Sequence, residues 1–261
     1  MLNKPKKSLG QNFLHDRNII SKIIDAAKID NTDEVLEIGP GTGNLTRLII
    51  DKNPKKIYVI EKDSTLAKDL KKRFLNKIDV IIKDILKISD EFYLEKKFLI
   101  LGNLPYNIST KILSNFCLNN KLNVSKMILM FQKEVAERII AKVNSKEYSR
   151  ITILSNWKFD IKKIIDVKPN SFSPKPKVHS SILEFTPKKK VYEIKNPKNL
   201  EKITKVFFSQ RRKMIKKPIK LLFKDLEFDY SKINAEPSDR PQNLSIDKYL
   251  KIVNEYEKLR S

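Results

Sequence analysis

Short unbroken apolar runs alternate with helical apolar stripes over the first two thirds of this chain. Ile19, Ile20, Ile23, Ile24 and Ala27 recur on one helical face, so residues 18–28 are predicted as an amphipathic helix. The run at 35–38 breaks at Gly39-Pro40-Gly41-Thr42-Gly43, and Leu45, Leu48 and Ile49 then return to helical spacing. Residues 57–60 close on Glu61, with Asp63 placed to cap the helix that follows. Residues 80–82 close on Asp84, 98–101 on Gly102-Asn103, and 127–131 lead into a helix from about Lys133. Strand and helix alternate five times, which predicts a parallel sheet with helices on both faces.

Near Lys168 the texture changes. Pro169, Pro174 and Pro176 mark a stiff loop, residues 178–185 read as one more strand, and Pro187-Lys188-Lys189-Lys190 reads as a linker. Beyond it Leu200, Ile203, Val206 and Phe207, and later Ile246, Leu250 and Val253, keep helical spacing. The expected plan is an α/β, Rossmann-like domain over 1–187 and a small all-helical domain over 188–261.

A chain of 261 residues can bury such a core and still carry a second, small domain. No stretch of 18 apolar residues occurs, and residues 1–10 lack the apolar segment of a signal peptide, so a soluble, unexported, cytoplasmic protein is expected. Cys117 is the single cysteine, which excludes an intrachain disulfide and a cysteine-cluster metal site. No metal is expected. Lys and Arg number 54 against 31 Asp and Glu, a net charge of +23. Compositional drift toward Lys, Ile and Asn accounts for part of this, and residues 188–261, with twenty basic and ten acidic side chains, are no steeper than the rest. The charge therefore suggests a polyanionic partner without locating its site. The same drift leaves five glycines, three of them at 39, 41 and 43, where a side chain is expected to be intolerable.

Ligands of open parallel sheets bind beyond the carboxyl ends of the strands. Four polar signals stand at such ends: the glycine loop, Glu61, Asp84 and Asn103. The loop is GxGxG with Asn44 where a dinucleotide fingerprint has its third glycine, so a pyrophosphate at the helix start is disfavoured. Glu61 can accept from both hydroxyls of a ribose, and Asp84 from an adenine amino group. An adenosine carrying an amino acid and no phosphate fits this set, and S-adenosylmethionine is such a ligand. The alternative is a tight strand–helix turn with solvated carboxylates.

Gly102-Asn103-Leu104-Pro105-Tyr106-Asn107 suits methyl transfer to an exocyclic adenine amine. That nitrogen is a poor nucleophile because its lone pair is delocalised into the ring. Two acceptors, the Asn103 amide oxygen and the Leu104 carbonyl, can hold its hydrogens and aim the lone pair. Pro105 stiffens the turn, and the Tyr106 ring offers a stacking surface for a flipped base. The chain has only His15 and His179, and this chemistry requires no titrating base. Phe172 either covers the other face of the base or is a core aromatic anchoring the proline loop.

The chain resembles the ribosomal RNA adenine dimethyltransferase family nearly end to end. The resemblance rests on Lys7-Ser8-Leu9-Gly10-Gln11-Asn12-Phe13-Leu14, the glycine loop, Glu61, Asp84, the run from Asn103 to Thr110, Gln132 to Arg138, and Phe172 to Ser180. In the helical part it rests on Phe208-Ser209-Gln210-Arg211-Arg212-Lys213 and Arg240-Pro241-Gln242-Asn243-Leu244-Ser245. The resemblance implies cofactor contacts at Asn12, Leu14, Gly39, Gly41, Glu61, Asp84 and Asn103. It also implies dimethylation of two adjacent adenines near the 3′ end of small-subunit RNA, presented in a pre-30S-type particle to a monomeric enzyme. Ser149-Arg150 departs from the family pattern, and Lys216-Lys217-Pro218 is expected to interrupt a helix.

Arg211, Arg212 and Lys213 are predicted to dock RNA, turned outward by inward packing of Val206-Phe207-Phe208. The alternative is three solvated charges. Three rival functions share parts of the pattern. They are a large-subunit RNA adenine methyltransferase of macrolide-resistance type, a non-catalytic assembly or transcription factor on this scaffold, and a nicotinamide oxidoreductase, which the missing third glycine disfavours.

Overall fold

Asp16 starts the first helix of the computed structural model, which describes residues 5–6, 9–94, 96–224 and 227–259. Its carboxylate accepts from the amides of Asn18 and Ile19, so α1 (Arg17–Ala27) begins directly after the two-residue strand β1 (Phe13–Leu14). There follow β2 (Glu34–Ile38), α2 (Asn44–Asp51), β3 (Lys56–Glu61), α3 (Ser64–Phe74), β4 (Asp79–Ile82), β5 (Phe98–Asn103), α4 (Ser109–Leu118), β6 (Val124–Gln132) and α5 (Lys133–Ile139). After α6 (Arg150–Lys158) come β7 (Phe159–Val167), β8 (Phe172–Ser173) and β9 (Ser180–Pro187), and then α7 (Pro197–Ser209), α8 (Lys216–Phe223) and α9 (Ile246–Lys258).

Seven strands form one sheet in the order β4-β3-β2-β5-β6-β9-β7. The first five are parallel, and β9 runs antiparallel to β6. The sheet is thus mixed where a parallel one was expected. Val35, Val59, Ile100 and Leu101 are completely or almost completely buried, as strands covered on both faces require, and this is why their strands read as largely apolar runs. β1 pairs antiparallel with β8 in a separate two-stranded sheet. Among the described residues no helix is long and apolar enough to cross a membrane.

The chain divides into two compact units. The first comprises Met1–Asn115, Lys121–Ala136 and Asp160–Pro187; the second comprises Phe116–Asn120, Glu137–Phe159 and Lys188–Ser261. The chain passes to the second unit for the last time at the expected linker, Pro187-Lys188. Residues 137–159, expected in the large domain, stand with the helical unit because α6 packs on α7 and α9. Ile151, Ile153, Leu154 and Trp157 bury around α6, and Phe207, Tyr249 and Tyr256 bury within the same unit. Pro218 is compatible with α8 because it falls in its first turn, where a missing N–H loses no helical bond; it does not interrupt a helix.

Candidate active site

The sheet order reverses between β2 and β5, and a pocket opens there at the carboxyl ends of the strands. Its walls come from the glycine loop after β2, Glu61 at the end of β3, Asp84 beyond β4, the turn after β5, and the segment Leu9–Leu14. Gly41 has φ +56°, and a Cβ on it would stand 2.7 Å from the Phe13 ring, so the loop approaches the N-terminal segment more closely than any side chain permits. Asn44, at the position of the absent third glycine, has a task of its own. Its amide donates to the Leu14 carbonyl at 2.8 Å and fastens that segment to the start of α2.

One side of the pocket is acidic. Glu61 is buried, accepts from the Asp63 amide at 2.8 Å and the Gly41 amide at 3.3 Å, and has its carboxyl pushed up by burial against those bonds. Asp84 pairs with Lys62 at 2.9 Å and accepts from the Leu86 amide; the Lys62 hydrogen bond is the main force holding its carboxyl below the usual range. Glu37, on β2 just before the glycine loop, also lines the pocket. Burial pushes its carboxyl up to about 8, opposed by the 2.6 Å bond from Thr46 and aided by the Glu61 charge. A continuous apolar run with one acid before the glycines was the available signal.

The other side is neutral. Asn103 ends β5, and its amide nitrogen donates to the Asn12 carbonyl at 2.9 Å, which makes the amide oxygen the acceptor end of the group. Leu104 is buried and pins the turn. The Pro105 carbonyl accepts from Ile108, and Ser109 donates to the Tyr106 carbonyl, which continues the turn into α4. The Tyr106 hydroxyl hydrogen-bonds the buried Ser180 hydroxyl at the start of β9, a partner 74 residues away that no local pattern announces. Burial raises the Tyr106 phenol above its ordinary range.

Asn12, Leu14, Gly39, Gly41, Glu61, Asp84, Asn103, Leu104, Pro105 and Tyr106 therefore meet in one pocket. Phe172 stands apart. It is 3% exposed, pairs with Leu14 across the β1–β8 ladder and belongs to the hydrophobic core, so of its two expected places it takes the core one. The basic trio also separates. Arg211 is half-buried and its guanidinium donates to Gln242 at 2.9 Å and to the Ser145 carbonyl at 3.1 Å, bracing the second unit, whereas Arg212 and Lys213 are exposed. The outward-facing trio expected from the sequence is thus a pair. Lys7 and Ser8 of the N-terminal motif lie outside the described residues.

Residues 2–258 match the family model of ribosomal RNA adenine dimethylases. The chain belongs to that family. It is an S-adenosylmethionine-dependent methyltransferase acting on ribosomal RNA. This dimethylase is 54% identical over 262 residues to ribosomal RNA small subunit methyltransferase A of Pelagibacter ubique (strain HTCC1062), with 100% of both chains covered. The protein of the same name from Wolbachia sp. subsp. Drosophila simulans (strain wRi) is 39% identical over 257 residues, covering 97% of this chain and 94% of the relative. Among solved structures, a dimethyladenosine transferase from Plasmodium falciparum superposes with TM-score 0.80 at 30% identity, covering 94% of this chain and 98% of that one. The 23S rRNA methyltransferase ErmE shares the fold, with TM-score 0.67 at 24% identity over 96% of this chain and 100% of its own.

Proposed function

We propose that this dimethylase converts two adjacent adenosines near the 3′ end of small-subunit ribosomal RNA to their N6,N6-dimethyl forms. The observation that carries the reading is the meeting of Glu61 and the Asn103–Tyr106 turn in one pocket at the reversal of the sheet order. The small-subunit assignment follows the relatives at 54% and 39% identity, while the large-subunit enzyme ErmE shares the fold alone.

The residues present fit S-adenosylmethionine. Glu61 and Asp84 would hold the ribose hydroxyls and the adenine amino group, and Asn12, Leu14, Gly39 and Gly41 would line its amino-acid part. When bound, this cofactor supplies a methyl group on a cationic sulfur, electrophilic enough that no strong base is required. The Asn103 oxygen and the Leu104 carbonyl accept the two hydrogens of the target amine and favour its pyramidal form. Tyr106 presents a ring to the flipped base, held by Ser180. Arg212 and Lys213 dock RNA, and the substrate is a pre-30S-type particle met in the cytoplasm by a monomer.

Incubation with labelled cofactor and undermethylated small subunits, followed by mapping of the modified nucleotides, tests the reaction. Label at two neighbouring adenosines is expected; label confined to large-subunit RNA overturns the reading. Neutralising Arg212 and Lys213 together should flatten the salt dependence of RNA binding by about 0.7–0.9 log units for each phosphate left without its cation, with cofactor affinity unchanged. A parental slope moves the docking surface to Lys175, Lys177 and residues 188–190.

A further inference from the structure

Asp63 caps a helix with half of its carboxylate. Its Oδ1 accepts from the Thr65 amide at 3.0 Å and starts α3, which uses one oxygen of a group that is 4% exposed. The second oxygen, Oδ2, faces a different structure. It receives the Lys6 ammonium at 2.9 Å and the Gln11 side-chain amide at 3.2 Å, while Gln11 in turn accepts from the Lys6 backbone N–H at 2.7 Å. Burial pushes the Asp63 carboxyl up, but these donors and the Thr65 amide outweigh it and hold the group ionised below its ordinary range.

Gln11 belongs to the segment Leu9–Leu14 that walls the pocket and Lys6 precedes it, and the segment is held at its far end by Asn103 and Asn44, which donate to the Asn12 and Leu14 carbonyls. On the other side of Asp63 the chain runs straight to the cofactor carboxylate, because the Asp63 amide donates to Glu61 Oε1. One buried residue thereby touches the pocket wall through its side chain and the ribose-binding acid through its backbone. A helix cap needs neither the Gln11 amide nor the Lys6 ion pair.

We propose that Asp63 is a positioning residue that latches the N-terminal segment across the cofactor pocket and holds that wall in register with Glu61, so that it sets how long the cofactor stays bound. The inference rests on the reading of Glu61 as the ribose acceptor. The cofactor leaves between methyl transfers, since each dimethylated adenine needs two, and the latch strength governs that exchange without entering the transfer step.

Asp63→Asn isolates the latch. It keeps an oxygen for the Thr65 amide, and hence the cap, while removing the charge that Lys6 requires and setting an amide nitrogen against Gln11. The probe is S-adenosylmethionine itself, its release followed by chase of the labelled compound, with amide hydrogen exchange read along the full chain. Release from Asp63→Asn should be roughly tenfold faster, the effect of one hydrogen bond to a charged group. The KM for the cofactor should rise in step while kcat at saturation stays within about twofold. Exchange should accelerate over residues 9–14 and stay parental in α3. Gln11→Ala should show a smaller change in the same direction, and adding it to Asp63→Asn should change nothing further. Parental release and exchange in Asp63→Asn overturn the latch, and so does acceleration spread through α3, which marks a lost cap. Glu61→Ala run beside it separates the two readings: if Glu61→Ala binds like the parent, the ribose assignment fails, and if only Asp63→Asn does, the latch fails.

Discussion

The two sides of the pocket are built from opposite materials. Glu37, Glu61 and Asp84 form the acidic side, and each already accepts from a protein donor: the Thr46 hydroxyl, the Gly41 and Asp63 amides, and Lys62. Asn103, Leu104 and Tyr106 form the neutral side, where the working groups are an amide, a backbone carbonyl and a ring tied by its hydroxyl to Ser180. Preorganised carboxyl groups such as Glu61 and Asp84 are suited to holding a polar ligand in the ground state. Neutral acceptors suit a group whose geometry must change during reaction without losing its proton first. On the proposed reading affinity and rate are divided between the two sides, and substitutions on each should report on different quantities.

The sharpest break in that division is Asn103→Ala. Methyl transfer in a single turnover should fall by about 100-fold or more, the scale on which one oriented hydrogen-bonding group acts in a transition state, with RNA binding much less affected. A near-parental rate would place the acceptors elsewhere. Glu61→Ala should show the reverse pattern. Calorimetry with S-adenosylmethionine should lose about 1.5–3 kcal/mol for each hydrogen bond to the missing carboxylate, and an unchanged affinity refutes the assignment of the acidic wall.

Glu37 tests how far the acidic side is strained before any ligand arrives. Folded, its carboxyl keeps a proton up to about pH 8; unfolded, it ionises near 4.5. Between those values the folded state binds more protons, so this group makes stability decline as pH rises, by at most about 1.4 kcal/mol per pH unit, and the decline stops above about 8. Glu37→Gln should remove that slope from thermal unfolding midpoints measured between pH 5 and 8. An identical slope in both proteins contradicts the buried, protonated acid. Smallest is Tyr106→Phe. It keeps the ring but releases Ser180, so transfer should weaken by about 0.5–1.5 kcal/mol, against a much larger loss for Tyr106→Ala. Equal losses would show that the hydroxyl, not the ring, is what matters on the neutral side.

Legibility in the sequence followed burial pattern and distance along the chain. The runs at 57–60 and 98–101, within β3 and β5, are plain because both their faces are covered and every position is apolar. β7 is hidden in the sequence because Asp160, Lys162 and Lys163 interrupt the run Phe159–Val167, whose residues are mostly partly or fully exposed. Nor did α6 announce itself, since apolar and small polar residues bury all round it and no stripe appears. Within the site, Glu61 and Asp84 could be read from their places at strand ends. Asp63 was legible as a cap, and its cap bond is present, but its bond to Gln11 spans 52 residues. Ser180 stood only at the end of a family motif, Arg211 looked like its two neighbours, and Phe172 occupied a proline loop that gave no hint which way its ring turned.

The pairing of β1 with β8 sets the timetable of assembly. Phe13 and Leu14 are made before every strand of the large sheet, yet their ladder partners, Ser173 and Phe172, are synthesised only after its five parallel strands are complete. Until then one wall of the cofactor pocket has no partner strand to close against, and the long loop between them must be ordered by the sheet before the ladder can form. A nascent chain stopped short of residue 172 would own the glycine loop, Glu61, Asp84 and Asn103 and still lack a finished pocket. The β1–β8 ladder therefore closes late, after the five parallel strands have been made.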